Sequence, residues 1–129
     1  MSRFLKLGLV HLEVQYKQPQ ANRADLLALN REAAGRGAHL ILNTELALSG
    51  YSFLSREDIH KYTETETGET LAGLTEIARE HKTYIGIGLA ERDESTGIYY
   101  NSAFVLGPEG ERRFPDRVDF ELLLRDPWK

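Results

Sequence analysis

The order of strand, helix and strand over residues 4–43 constrains the fold of this chain more than any other feature. Residues 4–14 are rich in apolar side chains, which is typical of a buried strand with one more polar face. Residues 22–36 repeat leucine and alanine at three- and four-residue steps, which predicts a helix with Asn22 as its N-cap. Gly37 ends this helix, and residues 39–43 (HLILN) follow as a strand buried on both faces. A parallel strand pair with a right-handed crossover is the expected result.

The rest of the chain adds helices and strands to the same layered pattern. Ser55 is expected to cap a short helix that reaches residue 62, and residues 70–82 are predicted to form an amphipathic helix. Residues 84–91 (YIGIGLAE) are typical of a buried strand whose two glycines indicate close approach of another backbone. Residues 99–106 return as an antiparallel strand. This order predicts an α/β domain with helices layered on a mixed sheet, and half of such a sheet would leave one face or edge uncovered.

Composition and charge exclude several classes of function. The net charge is −4, from 16 basic and 20 acidic residues, and the basic residues do not cluster, which argues against nucleic-acid binding. No apolar run approaches the ~20 residues that span a bilayer, and without cysteine no disulfide points to secretion. We therefore expect a cytoplasmic protein without membrane association. The histidines lack metal-ligand spacing and no cofactor motif is present, so neither a metal nor a cofactor is expected.

Glu45 is the residue whose position most suggests chemistry. It follows directly after the predicted second strand, and open α/β sheets bind their ligands at the carboxyl ends of strands. Partial desolvation there would raise the pKa of Glu45 toward values useful for a general base. Gly50 would permit a tight backbone beside it. Position alone favours the plainer interpretation, an ordinary loop carboxylate, so both interpretations stay open at this point.

Residues 41–51 (ILNTELALSGY) resemble a segment of the nitrilase superfamily, in which an apolar strand leads to Pro-Glu, a small or apolar stretch and then Gly-Tyr. Thr44 stands where the family commonly has proline, whereas Glu45, Gly50 and Tyr51 are intact. Residues 4–12, 22–38, 85–91, 100–103 (YNSA) and 106–110 (LGPEG) also resemble family segments, in the correct order and spacing. The resemblance therefore covers residues 4–110.

The resemblance implies a partial αββα sandwich and hydrolysis of a non-peptide amide or a nitrile by a Glu–Lys–Cys triad. In such a triad the glutamate activates the cysteine thiol, the cysteine attacks the substrate carbon to form a thioester, and the lysine stabilises the developing charge. Glu45 matches the general base. Glu91 matches a second acidic position that supports the site. An ordinary surface charge at the end of a strand is an equally good interpretation of Glu91. Tyr51 and Asn101 match positions near the pocket, and structural roles stay open for both.

Two departures from the family bear on activity. The chain contains no cysteine, and the family nucleophile would lie beyond residue 129. Arg117 is the nearest match to the family lysine, but an arginine lacks the compact, titratable ammonium, so the role of the lysine is not carried over to it. We therefore predict the N-terminal half of a carbon–nitrogen hydrolase that is inactive as an isolated chain.

The sequence after residue 113 looks unlike the family. Residues 1–113 are predicted to form the N-terminal part of the hydrolase domain, and residues 114–129 a divergent tail. An interrupted or frameshifted gene, a half-protein completed by another chain, and a non-enzymatic remnant are the three open explanations. A half-sandwich leaves apolar surface that needs cover, so the expected partner is a second copy in a homo-oligomer or a complementing C-terminal half. A non-catalytic assembly or binding module is thus the alternative function.

Overall fold

The computed structural model describes residues 3–51 and 55–119. Along this part of the chain the elements are β1 (Leu7–Leu9), α1 (Pro19–Gly35), β2 (Leu40–Leu42), α2 (Arg56–His60), α3 (Glu69–His81), β3 (Tyr84–Arg92), β4 (Tyr99–Leu106) and β5 (Arg112–Asp119). The strands form one sheet in the order β1-β2-β3-β4-β5. β1, β2 and β3 are parallel, whereas β4 and β5 each run antiparallel to the preceding strand. The predicted α/β fold, the mixed sheet and the parallel first pair are confirmed.

One face of the sheet carries the hydrophobic core. Alternate residues of β2, β3 and β4 point towards α1 and α3, because successive side chains of a strand point to opposite faces. The sheet and helix residues packed there are at most 3% exposed: Ile41, Ile85, Ile87, Leu89, Phe104 and Leu106 from the sheet, with Leu26, Leu71, Leu74 and Ile77 from the helices. Burial of each such side chain contributes about 1.5–3 kcal/mol, so this face holds the helix and sheet layers together.

The opposite face of the sheet is apolar and open to solvent in the described part of the chain. The large side chains exposed there are Leu7 (52%), Leu9 (77%), Leu42 (42%), Tyr84 (39%) and Val105 (36%). The strand register places them on one surface, because Leu9 pairs with Leu42, and Gly86 pairs with both Leu42 and Val105. We call these five large residues the uncovered face. A partial sandwich was expected to have such a surface.

The prediction that the second strand is buried on both faces is wrong. Ile41 is fully buried against the helices, but Leu42 belongs to the uncovered face. The prediction of a first strand over residues 4–14 is also too long. β1 has three residues because its partner β2 has only three, so the ladder between them ends with Leu9 opposite Leu42.

The first helix begins earlier than predicted. Its first residue is Pro19, whose fixed φ suits the first helical position, so Asn22 is not the N-cap but lies one turn inside the helix. The side chain of Asn22 is 1% exposed and donates to the backbone carbonyls of Gln15 and Leu48. An asparagine that looked like a cap therefore ties α1 to the loop that follows β2.

Two predicted helix ends are confirmed. Gly37 follows α1 with φ +85°, a left-handed conformation that glycine adopts without a steric cost. Ser55 caps α2, and its Oγ accepts a hydrogen bond of 3.1 Å from the backbone N–H of Asp58. No helix within residues 3–51 and 55–119 is both long enough and apolar enough to cross a membrane.

β5 has no counterpart among the predicted elements. It pairs with β4 along its whole length, with an irregularity between Phe104 and Val105, and Pro115 stands opposite Phe104. Proline cannot donate to a ladder and is tolerated in edge strands, which is where β5 lies. The strand runs across residue 113, and the division of the chain at that residue stays a prediction. Residues 120–129 of the predicted tail lie outside the described residues.

Candidate active site

The loop that carries Glu45 continues along β3 after β2 has ended. The backbone N–H of Asn43 donates to the carbonyl of Gly86 at 2.9 Å. Further on, the N–H of Gly88 donates to the carbonyl of Thr44 at 3.2 Å, and the N–H of Ala47 donates to the carbonyl of Gly88 at 2.9 Å. The backbone of Glu45 is therefore held against the middle of β3, at the carboxyl end of the parallel strand β2.

The chain reverses direction immediately after Glu45. Leu46 has φ +46° and Gly50 has φ +64°, and the N–H groups of Ser49 and Gly50 donate to the Leu46 carbonyl at 3.2 and 2.9 Å. A left-handed conformation costs a leucine roughly 1–2 kcal/mol. Burial of the Leu46 side chain, which is 3% exposed beside Ile59 and Tyr99, offsets this cost. The turn returns the chain so that Tyr51 faces Glu45.

Two side chains hold the carboxylate of Glu45, one on each oxygen. The hydroxyl of Tyr51 donates to Oε2 at 2.7 Å, and Nδ2 of Asn101 donates to Oε1 at 2.6 Å. Asn101 lies on β4, two strands away from the strand that precedes Glu45. The structure thus brings together three of the residues that the sequence suggested, Glu45, Tyr51 and Asn101.

The expectation that burial raises the pKa of Glu45 is wrong in the structure formed by residues 3–51 and 55–119. Glu45 is exposed, and its pKa lies below the ordinary value of a glutamate. The hydrogen bond from Tyr51 is the largest cause, followed by the hydrogen bond from Asn101, because both donors stabilise the ionised form. The same contact raises the pKa of Tyr51 above its ordinary value. The carboxylate is therefore ionised and fixed in orientation at neutral pH.

Glu91 and Arg117 form a separate cluster. The carboxylate of Glu91 is 1% exposed and accepts from Arg117 Nε at 2.8 Å, from Arg117 Nη2 at 2.6 Å and from Ser102 Oγ at 2.6 Å. Arg117 Nη1 also donates to Asp93 Oδ2 at 3.2 Å, and the guanidinium carbon lies 4.9 Å from the centre of the Tyr100 ring. The pKa of Arg117 is raised, chiefly by the hydrogen bond to Glu91. This bidentate pair stabilises the end of the sheet.

The structure does not bring Glu91 or Arg117 to Glu45. Glu91 pairs with Tyr100 and Arg117 pairs with Ser102, whereas Asn101 lies between these two residues of β4. Successive strand residues point to opposite faces, so the ion pair lies on the helix side of the sheet and Asn101 on the other side. A supporting role for Glu91 or Arg117 in the chemistry of Glu45 stays a prediction without a direct contact.

A pair of side-chain amides, Asn30 and Asn43, anchors the start of the same loop. This pair was not predicted from the sequence. Asn30 Nδ2 donates to Asn43 Oδ1 at 2.8 Å, and Asn43 Nδ2 donates to Asn30 Oδ1 at 3.0 Å and to the Gly86 carbonyl at 3.1 Å. Asn30 has no exposed surface and lies on the buried side of α1 together with Asn22, Leu26 and Ala34. The sequence did contain a signal for this pair, because Asn30 is a polar residue at a helical position that faces the core.

The described residues offer an oriented carboxylate but neither a thiol nor a metal site. They contain no group of three or more histidine, cysteine or acidic residues arranged to hold a metal ion, and the whole chain lacks cysteine. An oriented, ionised carboxylate can accept a proton from a neighbouring acid. The arrangement is therefore suited to a proton transfer in which the other reacting group comes from outside the described residues.

Comparisons with known proteins identify the family of the chain. The family model for carbon-nitrogen hydrolases matches residues 6–117, which include Glu45, Tyr51 and Asn101. A nitrilase of Pyrococcus abyssi is 36% identical over 107 residues, which make up 82% of this chain and 40% of that protein. The omega-amidase NIT2 of Mus musculus is 36% identical over 111 residues, 85% of this chain and 38% of that protein. The chain thus spans about two fifths of the length of these curated relatives.

A solved structure extends the agreement to the fold. The crystal structure of an N-terminal amidase superposes with a TM-score of 0.75 and 29% sequence identity, over 88% of this chain and 27% of that chain. The superposition takes in most of this chain, and the larger part of the solved chain lies outside it. The chain therefore belongs to the carbon–nitrogen hydrolase family and comprises the N-terminal portion of its nitrilase-type fold.

Proposed function

We propose that this chain supplies the general base for hydrolysis of a non-peptide amide or nitrile C–N bond, with Glu45 as the base and Tyr51 and Asn101 as the residues that orient it. The observation that carries the proposal is that each oxygen of the Glu45 carboxylate accepts a hydrogen bond from one of these two side chains. The names of two relatives, a nitrilase and an omega-amidase, support this substrate class.

The proposed reaction needs a thiol that this chain does not contain. In a Glu–Lys–Cys triad the glutamate removes the thiol proton, and the thiolate attacks the substrate carbon. A carboxylate with a lowered pKa is a weak base, and cover that excludes water from Glu45 would raise its pKa towards the range a base requires. We therefore infer that the 129 residues by themselves do not turn over substrate and that the base acts when a cysteine-bearing element lies over it.

A chimeric protein tests the role of Glu45. Residues 6–110 of this chain, which stop before the position matched to the family lysine, replace the matching segment of the Pyrococcus abyssi nitrilase, so that the remainder of that protein follows. Turnover of a panel of amides and nitriles is then measured for the chimera and for its Glu45→Gln variant. Loss of turnover in a variant that folds as the parent does is expected. A variant that is as active as the parent chimera would show that Glu45 is not the base.

The isolated chain provides the complementary test. Purified residues 1–129 are incubated with the same panel, and we expect no hydrolysis, because the chain has no cysteine. Hydrolysis that disappears in Glu45→Gln, in a preparation free of other hydrolases, would contradict the proposed inactivity.

The uncovered face favours a second candidate function, an assembly module or half-enzyme that a second chain completes. Val105 of the uncovered face and Asn101 lie on the same side of β4, because they are four positions apart and side chains alternate along a strand. An element that packs on this face would therefore also cover the Glu45 carboxylate. We expect a second copy of the chain as the occupant when no complementing half is present, since contiguous exposed apolar surface favours association.

Light scattering at several concentrations tests this assembly. A dimer in the unaltered chain and a monomer in the Leu9→Asp/Leu42→Asp variant are the expected results, because both leucines lie on the uncovered face. Arg31→Asp on the exposed surface of α1 serves as the control for the added charge. An unaltered chain that stays monomeric across the concentration range would contradict self-association.

A further inference from the structure

Gly88, in the middle of β3, lies closer to the backbone of Glu45 than a residue with a side chain allows. A Cβ atom placed on Gly88 would lie 2.7 Å from Cα of Glu45, 3.0 Å from N of Leu46 and 3.1 Å from the carbonyl oxygen of Thr44. Non-bonded carbon atoms prefer about 3.5–4.0 Å, so the loop would have to withdraw by roughly 1 Å. All three neighbours are backbone atoms, which cannot rotate away as the end of a side chain can.

The peptide groups of Gly88 also fasten the loop on both sides of Glu45. The N–H of Gly88 donates to the carbonyl of Thr44, the residue before Glu45, at 3.2 Å. The carbonyl of Gly88 accepts from the N–H of Ala47, two residues after Glu45, at 2.9 Å. The regular ladder between β2 and β3 ends at the pair Leu42 and Gly86, so these two bonds continue the contact beyond it.

The position of the loop decides whether Asn101 reaches the carboxylate. Asn101 stands opposite Ala90 on the strand beside β3, and its Nδ2 lies 2.6 Å from Oε1 of Glu45. An N–H···O hydrogen bond is normally no longer than about 3.2 Å. A withdrawal of the loop by roughly 1 Å, as a Cβ at position 88 would require, therefore breaks this bond.

We propose that Gly88 is a positioning residue for Glu45: its lack of a side chain lets residues 44–47 lie directly on β3, and this places the carboxylate within hydrogen-bonding reach of Asn101. The inference deepens the proposed function and rests on it, because the position of the carboxylate matters for catalysis only if Glu45 is the base. The positioning itself is measurable without turnover.

Gly86 offers a matched control on the same strand and the same face. A Cβ placed on Gly86 would lie 3.0 Å from Cδ2 of Leu42, the far end of a flexible and exposed side chain, and 3.9 Å from the Phe104 carbonyl oxygen. Leu42 can move aside at little cost. A Gly→Ala change is therefore expected to disturb Glu45 at position 88 and to leave it undisturbed at position 86.

An NMR titration of the Glu45 side-chain carboxyl, in chains that match the unaltered protein in circular dichroism, tests the proposal. Gly88→Ala is expected to shift the pKa of Glu45 upwards, because the hydrogen bond from Asn101 that lowers it is lost. In the Gly88→Ala chain, a second change, Asn101→Ala, should alter the pKa of Glu45 little further. In the Gly86→Ala chain, Asn101→Ala should raise the pKa of Glu45 as much as it does in the unaltered chain. A Gly88→Ala chain whose Glu45 keeps the low pKa and the full response to Asn101→Ala would overturn the proposal.

Amide hydrogen exchange of the unaltered chain decides the matter if Gly88→Ala does not fold. The N–H groups of Ala47 and Gly88 are expected to exchange as slowly as those of the central ladder between β3 and β4, because both take part in the bonds that fasten the loop. Exchange at the rate of an open loop would overturn the proposal. Both measurements are independent of activity, so a failure of Glu45 as the base would appear only in the chimera and would leave these results unchanged.

Discussion

The hydroxyl of Tyr51 and the carboxylate of Glu45, six positions apart in the sequence, are joined by a 2.7 Å hydrogen bond across a turn. The turn exists because Leu46 and Gly50 both adopt positive φ. The tyrosine hydroxyl is the donor of this hydrogen bond, which lowers the pKa of Glu45 and raises that of Tyr51. A local reversal of the chain thus sets the charge and the direction of the residue that carries the proposed chemistry.

Tyr51→Phe is expected to raise the pKa of Glu45 towards the ordinary value of a glutamate. The change removes the donor that contributes most to the low pKa and leaves the weaker contribution from Asn101. NMR titration of the Glu45 carboxyl measures the shift, and Tyr16→Phe, at an exposed tyrosine outside the site, is the control. An unchanged pKa in Tyr51→Phe would mean that the hydroxyl does not bond the carboxylate in solution.

The stability of the fold is expected to fall in acid, partly through Asp93. The pKa of Asp93 lies well below its ordinary range, chiefly because the hydroxyl of Ser95 donates to it, with a further bond from the N–H of Thr96. A carboxyl with a lower pKa in the folded chain stabilises the fold above its unfolded pKa, and this stabilisation is lost as the pH falls through the folded value. The loss should therefore begin below about pH 4, the ordinary pKa of aspartate.

Urea unfolding at a series of pH values measures this effect. Asp93→Asn should lower the urea midpoint at neutral pH and flatten its decline in acid, because the variant has no charge to lose at this position. Asp25→Asn, at an exposed residue of α1, should leave the pH profile unchanged. Identical profiles for Asp93→Asn and the unaltered chain would contradict the role given to Asp93.

Leu46→Gly is expected to destabilise the fold less than Leu46→Ala. Both variants lose the buried contacts that the leucine makes beyond Cβ. An alanine at φ +46° keeps the steric cost of the left-handed conformation, which should outweigh the contacts of its one methyl group, so the difference should be about 1 kcal/mol in favour of glycine. At Leu71, which is buried inside α3, the order should reverse, because glycine is about 1 kcal/mol less favourable than alanine in a helix. Chemical denaturation measures both pairs, and the same order at both positions would count against strain at Leu46.

Arg117→Met is expected to lower the free energy of unfolding by about 3–5 kcal/mol, because it leaves the carboxylate of Glu91 buried without its cation. The exposed fraction of the Arg117 side chain, 28%, places the cost towards the lower part of that interval. The double variant Glu91→Leu/Arg117→Met should recover much of the loss, since no buried charge remains. A double variant that is as unstable as the sum of both single variants would show that the pair is not coupled.

Local patterns were sufficient to predict the described elements except β5. Apolar periodicity and the glycine after α1 predicted the strand–helix–strand order. The position of Glu45 directly after β2 made it only a candidate, and its proposed role as a base came from the resemblance of residues 41–51 to the nitrilase superfamily. The two glycines of β3 indicated a close approach, but the partner of Gly88 could not be named, because the loop that contacts it lies more than 40 residues earlier in the chain.

Several of the errors concern features that depend partly on distant parts of the molecule. Leu42 was expected to be buried because a strand of this composition normally has cover on both faces, and the described residues cover only one. The pKa of Glu45 depends on Asn101, which is 56 residues away. The side of the sheet on which Arg117 lies depends on the register of β5. This strand was not predicted, because its proline and charged residues are not typical of a strand.

The measurement that tests the role of Glu45 most directly is the rate of thioester formation in the chimeric protein that joins residues 6–110 to the remainder of the Pyrococcus abyssi nitrilase. Glu76→Gln, at an exposed residue of α3, is the matched control. Removal of a general base lowers a rate by about 10²–10⁴-fold, so Glu45→Gln should slow acylation by at least about 100-fold while Glu76→Gln leaves the rate unchanged. Equal rates for Glu45→Gln and Glu76→Gln, in variants that both fold, would contradict the assignment of Glu45 as the base.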